Sequence, residues 1–184
     1  MKRTLMTLLL VATSFAGAAA TPFDRLFPSV RVITRAGDFR AGEAYGAYQY
    51  RLTPSTTFDV SYQLRLTTAQ QVARIQTVTF SVLPQGPDVS ALKAAPRRVT
   101  AQLFATVAQQ CFGMRSERVP ALQAWVQRTA TSGDMASNSV QFGPVKLAFE
   151  RTQSSGAGYY DLSYTFGRDG SPGSASWAAY CTFF

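Results

Sequence analysis

Phe58-Asp59-Val60-Ser61-Tyr62-Gln63-Leu64-Arg65-Leu66 alternates without a break: every even position is apolar and every odd one polar. Successive side chains of a strand point to opposite faces, so this stretch reads as a half-buried strand with one side in water. Upstream, Tyr48, Tyr50 and Leu52 alternate likewise, with Thr53-Pro54-Ser55 as the turn between. An antiparallel register that keeps apolar residues on one face sets Tyr50 against Phe58 and Tyr48 against Val60. Downstream, Val78, Phe80 and Val82 are expected opposite Leu66, Leu64 and Tyr62. The result is a meander of three strands, extended at its start by residues 29–34.

Beyond Gly86-Pro87-Asp88 the period changes. Pro96 suits a first helical turn, and Val99, Leu103, Phe104, Val107 and Cys111 follow at helical spacing until Gly113 stops them. Ser116 is placed to cap a second helix with Pro120 near its start. Leu122, Trp125, Val126 and Ala130 form its apolar stripe, interrupted by Thr129. Trp125 at that spacing reads as core. Alternation then returns in Val145, Leu147 and Phe149, and in Tyr160, Leu162, Tyr164 and Phe166. A hairpin register of Phe149 with Tyr160, Leu147 with Leu162 and Val145 with Tyr164 follows. A last strand over 175–184 carries Trp177, Ala179, Cys181 and Phe183 on one face.

This order predicts an α+β fold: a mainly antiparallel sheet of about six to seven strands with two helices packed on one face, in the order β-meander, α, α, β-hairpin, β. Residues 21–184 are expected to form one globular domain.

The first twenty residues carry the marks of a cleaved export signal. Lys2 and Arg3 lead a short apolar run, Leu5 to Phe15, and Ala18 and Ala20 supply the small side chains of an A-x-A site. The run is too short to span a bilayer. The mature chain is then expected to begin at Thr21 in a bacterial periplasm or the extracellular medium. Two cysteines in an exported chain read as a disulfide, Cys111 to Cys181.

The chain has 18 basic and 10 acidic residues, and loss of Lys2 and Arg3 would take the formal charge from +8 to +6. Such an excess favours anionic partners. The arginines are nevertheless scattered along the sequence, only Arg97 and Arg98 being adjacent, which is the pattern of a solubilising surface. There is no histidine, which removes Ser-His and Cys-His nucleophiles and the usual zinc sites. Phosphate-binding and nucleophile-elbow glycine motifs are missing, and the acids form no calcium-loop pattern.

One polar constellation follows from the expected hairpin. Glu150 would lie opposite Tyr159 and diagonal to Asp161, with Lys146 diagonal to Asp161 on the same face. Two carboxylates about 7–8 Å apart are spaced for acid–base work on a glycosidic bond. The plainer reading of Lys146, Glu150, Tyr159 and Asp161 is a solvated cross-strand charge cluster. Tyr159 and Tyr180 fall out of the inward phase and, with Arg151 and Arg168, suggest a stacking surface for sugars or bases.

The sequence therefore points to a secreted or envelope-resident binding or accessory protein, non-enzymatic, without metal or cofactor. Its expected partner is an anionic polymer, nucleic acid included, or an envelope protein, reached through arginines. The alternative is a small secreted hydrolase using Glu150 and Asp161.

Overall fold

The computed structural model describes residues 22–27, 30–38, 42–69, 72–83, 92–131, 137–153, 160–168 and 181–183. Four strands come first: β1 (Arg31–Asp38), β2 (Glu43–Thr53), β3 (Thr56–Ala69) and β4 (Val72–Val82). Helices α1 (Ala94–Phe112) and α2 (Val119–Thr129) follow, joined through a 3-10 turn, Ser116–Arg118. Three more strands close the sequence of elements: β5 (Ser137–Phe142), β6 (Val145–Gln153) and β7 (Tyr160–Arg168). All seven strands form one antiparallel sheet in the order β1-β2-β3-β4-β7-β6-β5. The fold is α+β, and the second meander returns through β7 to the free edge of β4.

The expected strand 58–66 is the centre of β3, and its pairing with β2 is as predicted, Tyr50 with Phe58 and Tyr48 with Val60. Two other registers differ. Val78 pairs with Leu64 rather than Leu66, Phe80 with Tyr62 and Val82 with Val60, a slip of two, and the ladder shifts by one between Arg65 and Leu66. In β6–β7, Phe149 faces Tyr164, Leu147 faces Phe166 and Val145 faces Arg168, a slip of four residues from the expected hairpin. Both slips are even, so the same side chains stay inward.

Strand β5 escapes a periodicity reading. Its inward positions are Asn138, Val140 and Phe142, and only Phe142 is fully buried, as suits an edge. After the helices, the described residues thus form a three-stranded meander, with β5 preceding the expected hairpin. Of the strand expected over 175–184, only Cys181–Phe183 lies among the described residues. Thr182 there bridges Pro22 and Arg74.

The core lies between the helices and one face of the sheet. Phe104 of α1 stands 5.1 Å from Phe80, 5.0 Å from Phe166 and 4.8 Å from Tyr164 between ring centroids. The β2–β4 part of that face is covered by Phe23 and Phe27; Tyr48 donates to the Phe23 carbonyl at 3.0 Å. Cys111 and Cys181 are joined, with Cα atoms 4.6 Å apart, tying the end of α1 to the C-terminal segment. Among the described residues no helix is long and apolar enough to cross a membrane.

Among the described residues the other sheet face meets no helix and is polar. Thr79 bonds Thr165 at 3.0 Å and Ser81 approaches Ser163 at 3.5 Å across β4–β7.

Candidate functional site

The end of α1 is set by Gly113, whose φ of 67° is a left-handed conformation that favours glycine. The Gly113 and Met114 N–H groups return to the carbonyls of Gln109 and Ala108 at 3.2 and 2.9 Å. The chain then turns through Arg115 and the 3-10 turn into α2, whose first turn holds Pro120. Ser116 does not cap α2 as expected: Arg118 occupies that position, and no side chain bonds the free N–H groups there. The price of that uncapped start is a corner where two arginines, Arg115 and Arg118, stand exposed.

Facing this corner is the two-residue turn Gly143-Pro144 between β5 and β6, with φ of 63° at Gly143. Arg168, at the end of β7, completes the enclosure. Its Nη1 donates to the Phe112 carbonyl at 2.7 Å, which holds the half-buried guanidinium at the terminus of α1. A cation there also suits the negative end of the helix dipole. Together these elements bound a cleft of about 700 Å³ lined by Arg115, Arg118, Arg168, Glu117, Phe142 and Pro144 among others. The described lining residues thus include three arginines and one acid, Glu117. Arginine presents a planar fork of donors that matches carboxylate and phosphate oxygens in pairs.

The cleft belongs to a wider asymmetry. Residues 93–131 hold Lys93, Arg97, Arg98, Arg115, Arg118 and Arg128 against a single acid, Glu117. All are exposed except half-buried Arg97, and Arg97 and Arg128 share a shallow hollow on the helix pair. The polar sheet face is nearly balanced: Arg31, Arg51, Arg65, Arg74 and Lys146 stand with Glu43, Asp59, Glu150 and Asp161. The arginines are thus spread over both sides of the molecule, as their scatter in the sequence suggests, with a local excess of basic over acidic residues on the helical layer.

The carboxylate constellation is rearranged by the slipped register. Glu150 lies opposite Ser163 and keeps Asp161 as its diagonal neighbour, while Lys146 lies opposite Gly167, well away from Asp161. Tyr159 and Tyr180 lie outside the described residues. Lys146 and Glu150 are exposed; Asp161 is half-buried, so it is not the ordinary exposed acid that strand phase suggests. Burial raises its pKa, opposed by a hydrogen bond with the Ser81 side chain. None of these three lines the arginine cleft. Arg151 and Arg168, expected beside outward tyrosines, belong to the inward rows with Leu162 and Val145, at opposite ends of the β6–β7 pair.

Sequence reasoning missed the cleft because its members come from α1, the helix connection, the β5–β6 turn and the end of β7. Arg115 and Arg118 straddling Glu117 in the helix connection were the only local signal. Comparison with protein-family models, curated proteins and solved structures gave no match to the chain.

Proposed function

We propose that the chain is an exported, non-enzymatic binding protein that holds an anionic partner through the arginines of its helical layer, with the cleft as the point of contact. The observation that carries this reading is that Arg115, Arg118 and Arg168 line one concave site, with Glu117 the only acid among the described residues there. The Cys111–Cys181 disulfide fits an oxidising compartment, and the leader-like start of the sequence agrees with it.

A polymer neutralised by arginines releases its counterions, so affinity falls steeply with salt. Titration of the protein with heparin and with duplex DNA at two salt concentrations tests the reading. Arg115→Gln/Arg118→Gln is expected to weaken binding and to flatten the log–log salt slope by about one unit per arginine. Tighter binding of heparin favours a polysaccharide partner, and tighter binding of DNA a nucleic acid. No binding of either at low salt returns these arginines to solubility.

The raised pKa of Asp161, diagonal to Glu150, is the one observation on the side of a carboxylate hydrolase. That second reading requires both acids to face a cleft, and its test is release of sugar from polysaccharide, abolished in Glu150→Gln.

A further inference from the structure

On the inward side of β6, Arg151 pairs with Leu162, which makes Tyr160 and Tyr164 its diagonal neighbours. Its Cζ lies 5.6 Å from the centroid of the Tyr160 ring, so one guanidinium face is covered while the N–H edge is directed elsewhere. The Nε and Nη2 atoms are buried and meet no acceptor among the described residues. Across Tyr164, the Trp125 ring of α2 packs edge-on at 6.0 Å, and its indole N–H is likewise buried with no acceptor among the described residues.

These unmatched groups share one chemistry. Arginine and indole nitrogens donate hydrogen bonds and accept none. Burying such donors unpaired is costly, and a guanidinium cannot escape by losing its proton. The nearest ladder carboxylates, Glu150 and Asp161, are on the opposite face of the sheet. The Tyr164 hydroxyl bonds Thr129 at 3.2 Å and accepts from neither Arg151 Nε or Nη2 nor the Trp125 indole. Arg151 as a whole is only half-buried, although its Nε and Nη2 atoms are covered.

We propose that Arg151 and Trp125 bind an oxyanion, the carboxylate or phosphate group of a small molecule, between α2 and the β6–β7 strands. The site is separate from the arginine cleft, six positions along β6 or about 20 Å away. Its occupant supplies only acceptors, which is what the three donors lack.

Thermal unfolding in acetate and in inorganic phosphate, each matched to chloride at constant ionic strength, tests this. The wild-type midpoint is expected to rise by several degrees with saturation, because a ligand held by the native state alone stabilises it. Arg151→Met loses the rise, and Trp125→Phe needs about ten times more anion for half of it. Arg115→Gln/Arg118→Gln keeps the part of the rise that Arg151→Met removes, so failure here and failure of the cleft reading are distinguishable. The stronger of the two anions identifies the group bound. No saturable rise in the wild type, or an equal rise in Arg151→Met, overturns the proposal.

Discussion

Thr129 interrupts the apolar stripe of α2, yet it is completely buried. Its hydroxyl donates back to the carbonyls of Trp125 and Val126, both at 3.1 Å, and is left to accept from the Tyr164 hydroxyl. Burial pushes the Tyr164 phenol up to about 12, against the opposing effects of Thr129 and the Arg151 charge. Thr129→Val is close in shape but strands the phenol without an acceptor, so a loss of about 1–3 kcal/mol in urea unfolding is expected. Tyr164→Phe in the Thr129→Val background is expected to recover part of that loss, since the orphaned hydroxyl is then gone. Asp161 makes a pH-dependent prediction. Its folded pKa lies above the unfolded one, so its contribution favours the fold in full below the unfolded value, near about 4. That contribution is lost as pH climbs through the raised folded value. Asp161→Asn is therefore expected to be more stable than wild type at neutral pH, with the gap narrowing towards acid. Denaturant unfolding of both proteins across that range is the check, and a gap that widens towards acid contradicts the assigned burial.

At the scale of elements, α1 ends where Gly113 adopts its left-handed conformation. Gly113→Ala places a Cβ in that region at a cost of about 1 kcal/mol. Urea unfolding measures the loss, and weakened heparin binding at unchanged fold is expected with it, since Gly113 also borders the cleft. The strands carry a different lesson. Alternation assigned the inward apolar residues of β3, β6 and β7 correctly, though not the inward Arg151 and Arg168, while the β3–β4 and β6–β7 registers slipped by two and by four. A period of two discriminates odd from even offsets and is blind among the even ones. The carboxylate constellation was built on one such offset, which is why Lys146 left it and Glu150 and Asp161 stayed diagonal.

For the whole molecule, the disulfide joins elements separated by 70 positions. Cys181 also accepts at its carbonyl from Ile75 N–H at 3.4 Å, and the adjacent Thr182 carbonyl accepts from Phe23 N–H at 2.8 Å. The bond thus secures both the N-terminal turn and the C-terminal segment over the β2–β4 part of the core. Cys111→Ala/Cys181→Ala is expected to lower stability by on the order of 4 kcal/mol, from the freedom regained by the unfolded chain. Equal unfolding midpoints for the oxidised protein and this variant would remove the disulfide from the account of stability.

The sequence by itself determined the class of fold, the number of helices, the inward face of the long strands and the pairing of the two cysteines. Each follows from a local period or from an inventory with one solution. Only the tertiary structure decided the registers, the place of β7 beside β4 and the edge strand β5, whose inward row holds Asn138 and one fully buried apolar residue. It also decided that Arg115, Arg118 and Arg168, up to 53 positions apart in the chain, meet at one cleft. The physical reason is common to all of these: hydrophobic patterning specifies which side of an element is buried, whereas contacts between distant elements depend on how the buried sides fit together.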